Sequence, residues 1–197
     1  MKDYVKKNIE ICETKKRGTP GALYKDRFAL TVALLLRFAR RKKSLLDVGA
    51  RDGILLEHLA KHGFRDLTGL DIWDEGLKTM KDNGFRTIRA DIQEYRTHKR
   101  FHTIVLSHVL EHCPDPVKVL KNVDTMLLKH GVVFIEVPKQ EDLRIEGAGH
   151  YSNFTTLDDL LKITPWYTRF RGECLRRIYY VGQKWPKKQK KSPGKKL

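Results

Sequence analysis

A chain of 197 residues with 40% hydrophobic composition has enough apolar material for one core with short extensions, which excludes wholesale disorder. Its 40 Lys and Arg against 24 Asp and Glu give a net charge of +16, so a polyanionic partner stays open. Cys12, Cys113 and Cys174 are too few and too scattered for a disulfide framework or an iron–sulfur cluster, which excludes cluster-based radical chemistry.

In chain order, residues 1–43 read as a basic arm followed by a capping helix. The arm is polar, is expected to be loosely ordered, and ends in Lys15, Lys16 and Arg17. Thr19 before Pro20 is a helix-start signal. The helix that follows carries Leu23, Phe28, Leu30, Leu34, Leu35 and Phe38 on its apolar face and closes on Arg37, Arg40, Arg41, Lys42 and Lys43, where the helix dipole favours cations. No apolar run follows the first lysines. The stretch 28–39 is broken by Thr31 and Arg37 and is too short for a bilayer, so a soluble, cytoplasmic protein without a membrane span is expected.

Residues 44–183 alternate apolar strands with amphipathic helices. Strands are predicted at 45–48, 67–72, 86–90, 101–107 and 131–137, and helices at 52–62, 75–83, 116–129 and 155–163. Strands buried on both faces and alternating with helices imply an α/β fold with a Rossmann-like, doubly wound and mostly parallel sheet. Tyr167–Phe170 and Leu175–Gln183 are β-rich and predict an antiparallel edge hairpin at the C-terminus. Residues 184–197 hold seven lysines and no acid, and a disordered Lys-rich tail is expected. Such a tail serves either as a solvated extension or as a counterion-releasing arm for RNA, DNA or acidic membrane.

The run Leu45-Leu46-Asp47-Val48-Gly49-Ala50-Arg51-Asp52-Gly53 is a strand breaking into a glycine turn before a helix. That arrangement presents backbone N–H groups to a nucleotide-like ligand. A dinucleotide fingerprint needs glycines where this chain has Arg51 and Ile54, so the turn suits a ligand without phosphates. Asp47, just before the turn, can face a cationic ligand. Asp71 ends the second strand, where a carboxylate accepts from ribose hydroxyls, and Asp91 follows the third, where it accepts from an adenine amine. Acids after strands also cap helices, but three in order at strand ends make an adenosine site.

With these runs, Gly69-Leu70-Asp71-Ile72, Ala90-Asp91-Ile92, Ser107-His108-Val109-Leu110-Glu111-His112 and Gly131 to Pro138, the chain resembles the class I S-adenosylmethionine-dependent methyltransferases, in particular the small group with a Leu-Glu-His segment after the fourth strand. The resemblance covers roughly residues 44–163. It implies S-adenosylmethionine as cofactor and S-adenosylhomocysteine as product. It also implies that Asp47, Gly49, Ala50, Arg51 and Gly53 hold the methionyl part, Asp71 and Ile72 the ribose side, and Asp91 and Ile92 the adenine, with Ser107 and His108 near the sulfonium. Arg51 departs from the family, which usually has Gly there.

His112 is the preferred base for methyl transfer, with Glu111 as its partner, and His150 is expected at the same rim; the alternative is a structural Glu-His pair holding the turn before Pro114. His108, Glu111, His112 and His150 also have the chemistry of a divalent-metal set, as in two methyltransferase groups that this chain resembles, and the His108 position would favour zinc or iron over magnesium. No metal is assigned on the sequence. A small-molecule hydroxyl or amine is the expected acceptor. RNA, held through the basic arms, and a non-catalytic nucleoside-binding module are the alternatives.

Overall fold

The first strand, β1 (Leu45–Val48), is buried at every position and is flanked by partners on both sides. It pairs in parallel with β2 (Leu67–Asp71) and with β4 (Phe101–Ser107). A computed structural model describes residues 2–14, 28–139, 150–174 and 176–185, with the backbone alone for 11–14. The seven strands run in the order β3-β2-β1-β4-β5-β7-β6, where β3 is Arg86–Arg89, β5 Leu127–Pro138, β6 Tyr167–Cys174 and β7 Arg177–Gln183. Strands β1 to β5 are parallel to their neighbours, and β7 joins β5 antiparallel with β6 outermost. This is the expected α/β sheet with its antiparallel edge. The winding direction reverses between β1 and β4, and a doubly wound sheet opens its ligand crevice at such a point.

Helices cover both faces: α1 (Asp3–Thr14), α2 (Ala29–Phe38), α3 (Ile54–Lys61), α4 (Asp74–Asp82), α5 (Pro116–Met126) and α6 (Leu157–Ile163). Asp115 caps α5, accepting from Lys118 N–H at 2.8 Å, with Pro116 at the first position. Thr156 and Asp159 form a reciprocal capping box on α6. One core layer gathers Leu46, Val48, Leu106, Val119 and Tyr180, and the other Leu35, Leu45, Leu56, Phe64 and Phe134.

Three readings change. The arm expected to be loosely ordered is helical over Asp3–Thr14. Tyr4, Val5, Asn8 and Ile9 are its half-buried residues, and they fall on one helical face. The helix predicted over 116–129 stops at Met126, and β5 begins at Leu127, because Leu127 pairs with Phe101 across a bulge. Lys184, assigned to the tail, extends the sheet instead: its N–H donates to Gly131 at 2.9 Å and its carbonyl accepts from His130. The helix start at Thr19 and Pro20, Leu23 and the tail from 186 onward lie outside the described residues. Among those described, no helix is long and apolar enough to cross a membrane.

Glu136 fastens four elements. Although only 1% exposed, its carboxylate accepts from Thr31 of α2 and Ser107 of β4, both at 2.8 Å, and from Arg177 of β7 at 2.9 Å. His108 Nε2 lies 3.3 Å away, an ionic contact without hydrogen-bond alignment. Burial pushes the Glu136 pKa up, but His108, Thr31 and Ser107 outweigh it and hold it at about 2. Its folded value is therefore below the unfolded one, so its contribution is present above the ordinary glutamate range and fades as pH falls towards about 2. Glu136→Gln should cost about 3 kcal/mol in urea unfolding at neutral pH, because it leaves half-buried Arg177 and His108 without the Glu136 counter-charge. The gap between variant and wild type should narrow as pH falls through that window, and equal stability at neutral pH would contradict the role.

Candidate functional site

The carboxyl ends of β1, β2, β3 and β4 surround an open cavity of ≈ 280 Å³. Asp47, Gly49, Ala50, Arg51, Asp71, Ile72, Asp91, Ile92, Ser107, His108 and His112, all expected from the sequence, line it. Gly53 does not; it starts α3 with φ 83°, and a Cβ there would lie 2.5 Å from Met80 Cγ. Glu111 and His150 stand behind the rim rather than in the lining.

The turn is built by backbone. Gly49 N–H donates to the Leu70 carbonyl at 2.8 Å, and its φ of 70° suits glycine. A side chain at Gly49 would also meet Val109, 2.7 Å away. Arg51 takes a left-handed φ of 52° without being glycine. Its N–H donates to Asp71 Oδ2 at 2.7 Å and its guanidinium lies 5.9 Å from the Trp73 ring centroid. Asp71 Oδ1 accepts from Ile72 N–H at 2.7 Å and Trp73 N–H at 2.9 Å. Three of its roughly four acceptor positions are thus taken by the protein.

Two of these acids disturb each other. Burial, reinforced by the charge of Asp71, pushes Asp47 up to about 8. Asp71 is also raised by burial, against the three backbone N–H groups and the Arg51 charge that pull it down. Arg51 answers Asp71 in part, while nothing that shifts Asp47 lowers it, so a cation placed beside Asp47 would favour its ionised form.

The rim carries the histidines. His108 sits at φ 55°, with Nδ1 3.1 Å from Glu111 Oε1 and Nε2 facing Glu136. Burial disfavours its charge, but the two carboxylates outweigh this and raise its pKa. Glu111, expected to partner His112 or to fix the loop as a buried acid, faces His108 through Oε1, and its Oε2 is buried with no hydrogen-bond partner among the described residues. The segment after β5 returns to this turn: the Glu111 carbonyl accepts from Tyr151 N–H at 2.7 Å, and Ser152 Oγ donates to the Cys113 carbonyl at 3.0 Å. His150 is thereby set against His112, edge to face, with ring centroids 4.8 Å apart. One donor atom each from Glu111, His112 and His150 lie within 4.8 Å of one another, a spacing that can hold a metal ion; His108 is not in this group.

Tyr4 and Asn8 of α1 also line the cavity, and sequence reading missed them. The one signal was an i, i+4 spacing within a polar, mixed-charge segment.

The family model described as Methyltransferase domain (Methyltransf_23) matches residues 23–180. The chain belongs to this family, whose members are class I S-adenosylmethionine-dependent methyltransferases. Among curated proteins it is similar to the ubiquinone biosynthesis O-methyltransferase of Colwellia psychrerythraea, 27% identical over 146 residues, 70% of this chain and 57% of the relative. It is also similar to that of Vibrio vulnificus (strain YJ016), 31% identical over 142 residues, 68% of this chain and 58% of the relative. It thus spans a little over half the length of these relatives. Among solved structures, the fold is similar to the N-methyltransferase NodS from Bradyrhizobium japonicum WM9 in complex with S-adenosyl-L-homocysteine, with a TM-score of 0.71, 20% identity and coverage of 94% of this chain and 100% of that one.

The elevated Asp47 has a measurable consequence. With a cation beside it the carboxyl ionises, so binding of cationic S-adenosylmethionine releases a proton whenever the empty site is protonated. Affinity should therefore weaken as pH falls below about 8, by up to tenfold per pH unit. Calorimetry in two buffers of different ionisation enthalpy reads the proton directly, and binding without proton release below that pH would contradict the assignment.

Proposed function

We propose that this chain transfers a methyl group from S-adenosylmethionine to an oxygen or nitrogen nucleophile of a small molecule, in the cytoplasm. The observation that carries this reading is the row of three acids at the ends of consecutive strands, Asp47, Asp71 and Asp91, lining one cavity whose turn lacks a pyrophosphate fingerprint. Asp47 faces the cationic methionyl part. Asp71 offers its remaining acceptor position, on Oδ2, to a ribose hydroxyl. Asp91 takes the adenine amine. The activity for which the curated relatives are named, O-methylation in ubiquinone biosynthesis, supports a small-molecule hydroxyl as acceptor and gives no support to RNA.

Methyl transfer is an in-line displacement. The acceptor's lone pair bonds to the methyl carbon, the carbon–sulfur bond breaks, and its electron pair neutralises the sulfonium. Alignment of the two partners supplies about 7–11 kcal/mol of such a barrier. His112, at the rim beside His150, receives the acceptor's proton, a contribution of about 10²–10⁴-fold. The test is S-adenosylhomocysteine calorimetry followed by methyl transfer to a panel of small phenols and amines. Asp91→Ala should weaken S-adenosylhomocysteine by roughly tenfold or more. His112→Ala should leave its affinity within a few-fold and reduce kcat by about 10²-fold or more. A wild-type protein that binds no S-adenosylhomocysteine would remove the reading.

A second reading of the rim rests on its own observation, the unpartnered Glu111 Oε2 beside His112 and His150. These donors fit a divalent cation, which when bound would lower the pKa of an acceptor hydroxyl. Elemental analysis of untagged protein tests it. A metal-free protein whose turnover is insensitive to EDTA would leave His112 as the base.

A further inference from the structure

We propose that α1 is a detachable wall of the cofactor site, with Tyr4 and Asn8 as ligand-binding residues that close over the bound adenosyl group and set its rate of release. The inference rests on the adenosyl reading of the cavity given above.

Tyr4 and Asn8 are one helical turn apart on the same face and both line the cavity. They bridge its two sides. The Tyr4 hydroxyl donates to Asp91 Oδ2, the carboxylate assigned to adenine. Asn8 Nδ2 donates to the carbonyl of His112, at the reacting end, at 3.3 Å. Tyr4 also stands edge-on to Tyr151, beside His150, with ring centroids 6.3 Å apart. Lys2 anchors the start of α1 to Glu94.

Two features point to a ligand rather than to a structural role alone. Asn8 Oδ1 is buried without a hydrogen-bond partner among the described residues. An orphaned acceptor costs free energy until a donor arrives, and an N–H or O–H of the ligand would supply one. Asp91 is also not exhausted: Oδ1 accepts Gln93 N–H at 2.9 Å and Oδ2 accepts Tyr4, leaving about two of its four acceptor positions for an adenine amine. Tyr4 and adenine therefore bind the same carboxylate together rather than compete for it.

The attachment of α1 explains why it can open. Among the described side chains it contributes none to the buried core: Val5 and Ile9 are only half-buried, and its hydrogen bonds, ion pair and ring contact lie at the cavity mouth. An element held this way belongs to the low-stability end of a fold and opens locally. Its anchors are the groups that hold the ligand, so docking of α1 and binding of the ligand reinforce each other, by equal factors.

The experiment uses the full chain and S-adenosylhomocysteine. In wild type, the ligand should slow hydrogen exchange across residues 3–14. Tyr4→Phe keeps the ring against Tyr151 and removes only the hydroxyl. It should raise Kd about tenfold, chiefly through faster dissociation, the scale of one hydrogen bond to a charged group. Asn8→Ala should weaken binding several-fold without changing Tm by more than a few degrees. Unchanged affinity and dissociation in both variants, or exchange in α1 indifferent to the ligand, would overturn the proposal while leaving the cofactor reading intact. Tighter binding by Tyr4→Phe would overturn it in favour of competition. A wild-type protein that does not bind S-adenosylhomocysteine would remove the cofactor reading and this proposal together.

Discussion

A carboxylate buried at the end of a central strand has to be answered from several directions at once, and Glu136 is answered from α2, β4 and β7. Burying such a group without partners is expensive, so the elements that supply them are locked in mutual position. The consequence runs into the site. Ser107 and His108 follow β4 and are drawn to Glu136, and His108 then holds Glu111 from its other nitrogen. The Glu111 carbonyl receives the segment that brings His150 to His112. A chain of short polar contacts thus runs from a sheet interior to the histidine rim, each positioning the next.

On the other wall the charges are answered only in part: Asp71 has three backbone N–H donors and the Arg51 charge, while burial and Asp71 both raise Asp47. Asp47 and Asp71 lie at the ends of adjacent parallel strands, in register as neighbours of Gly69 and Arg89, and burial, reinforced by the Asp71 charge, lifts Asp47. A fold selected for stability alone would not keep two buried acids so close. The arrangement makes sense where a cationic ligand relieves it, and the same low dielectric that penalises the empty state strengthens the attraction once the cation arrives.

Much of this was legible in the chain. The turn at Gly49, the acids closing three strands and the Ser107-to-His112 segment all act through their own strand ends, and alternation places those ends side by side. The boundary at Leu127 was not legible, since Leu127 and Leu128 satisfy a helical face and a strand equally well; pairing with Phe101 decided it. Nor was α1. Its sequence mixes charged and apolar residues, and its docking on Asp91, Glu94 and the His112 carbonyl involves residues far along the chain.

The sequence by itself determined the class of fold, the nature of the cofactor turn and the identity of the strand-end acids, because period, turn chemistry and strand order depend on near neighbours and short, right-handed connections. Tertiary structure alone decided which distant groups meet. It brought Glu111 against His108 as well as beside His112, set His150 beside His112, raised Asp47 through burial and the Asp71 charge and laid Tyr4 over Asp91. Those outcomes depend on burial and on through-space charge, which are properties of packed neighbours and not of spacing along a chain.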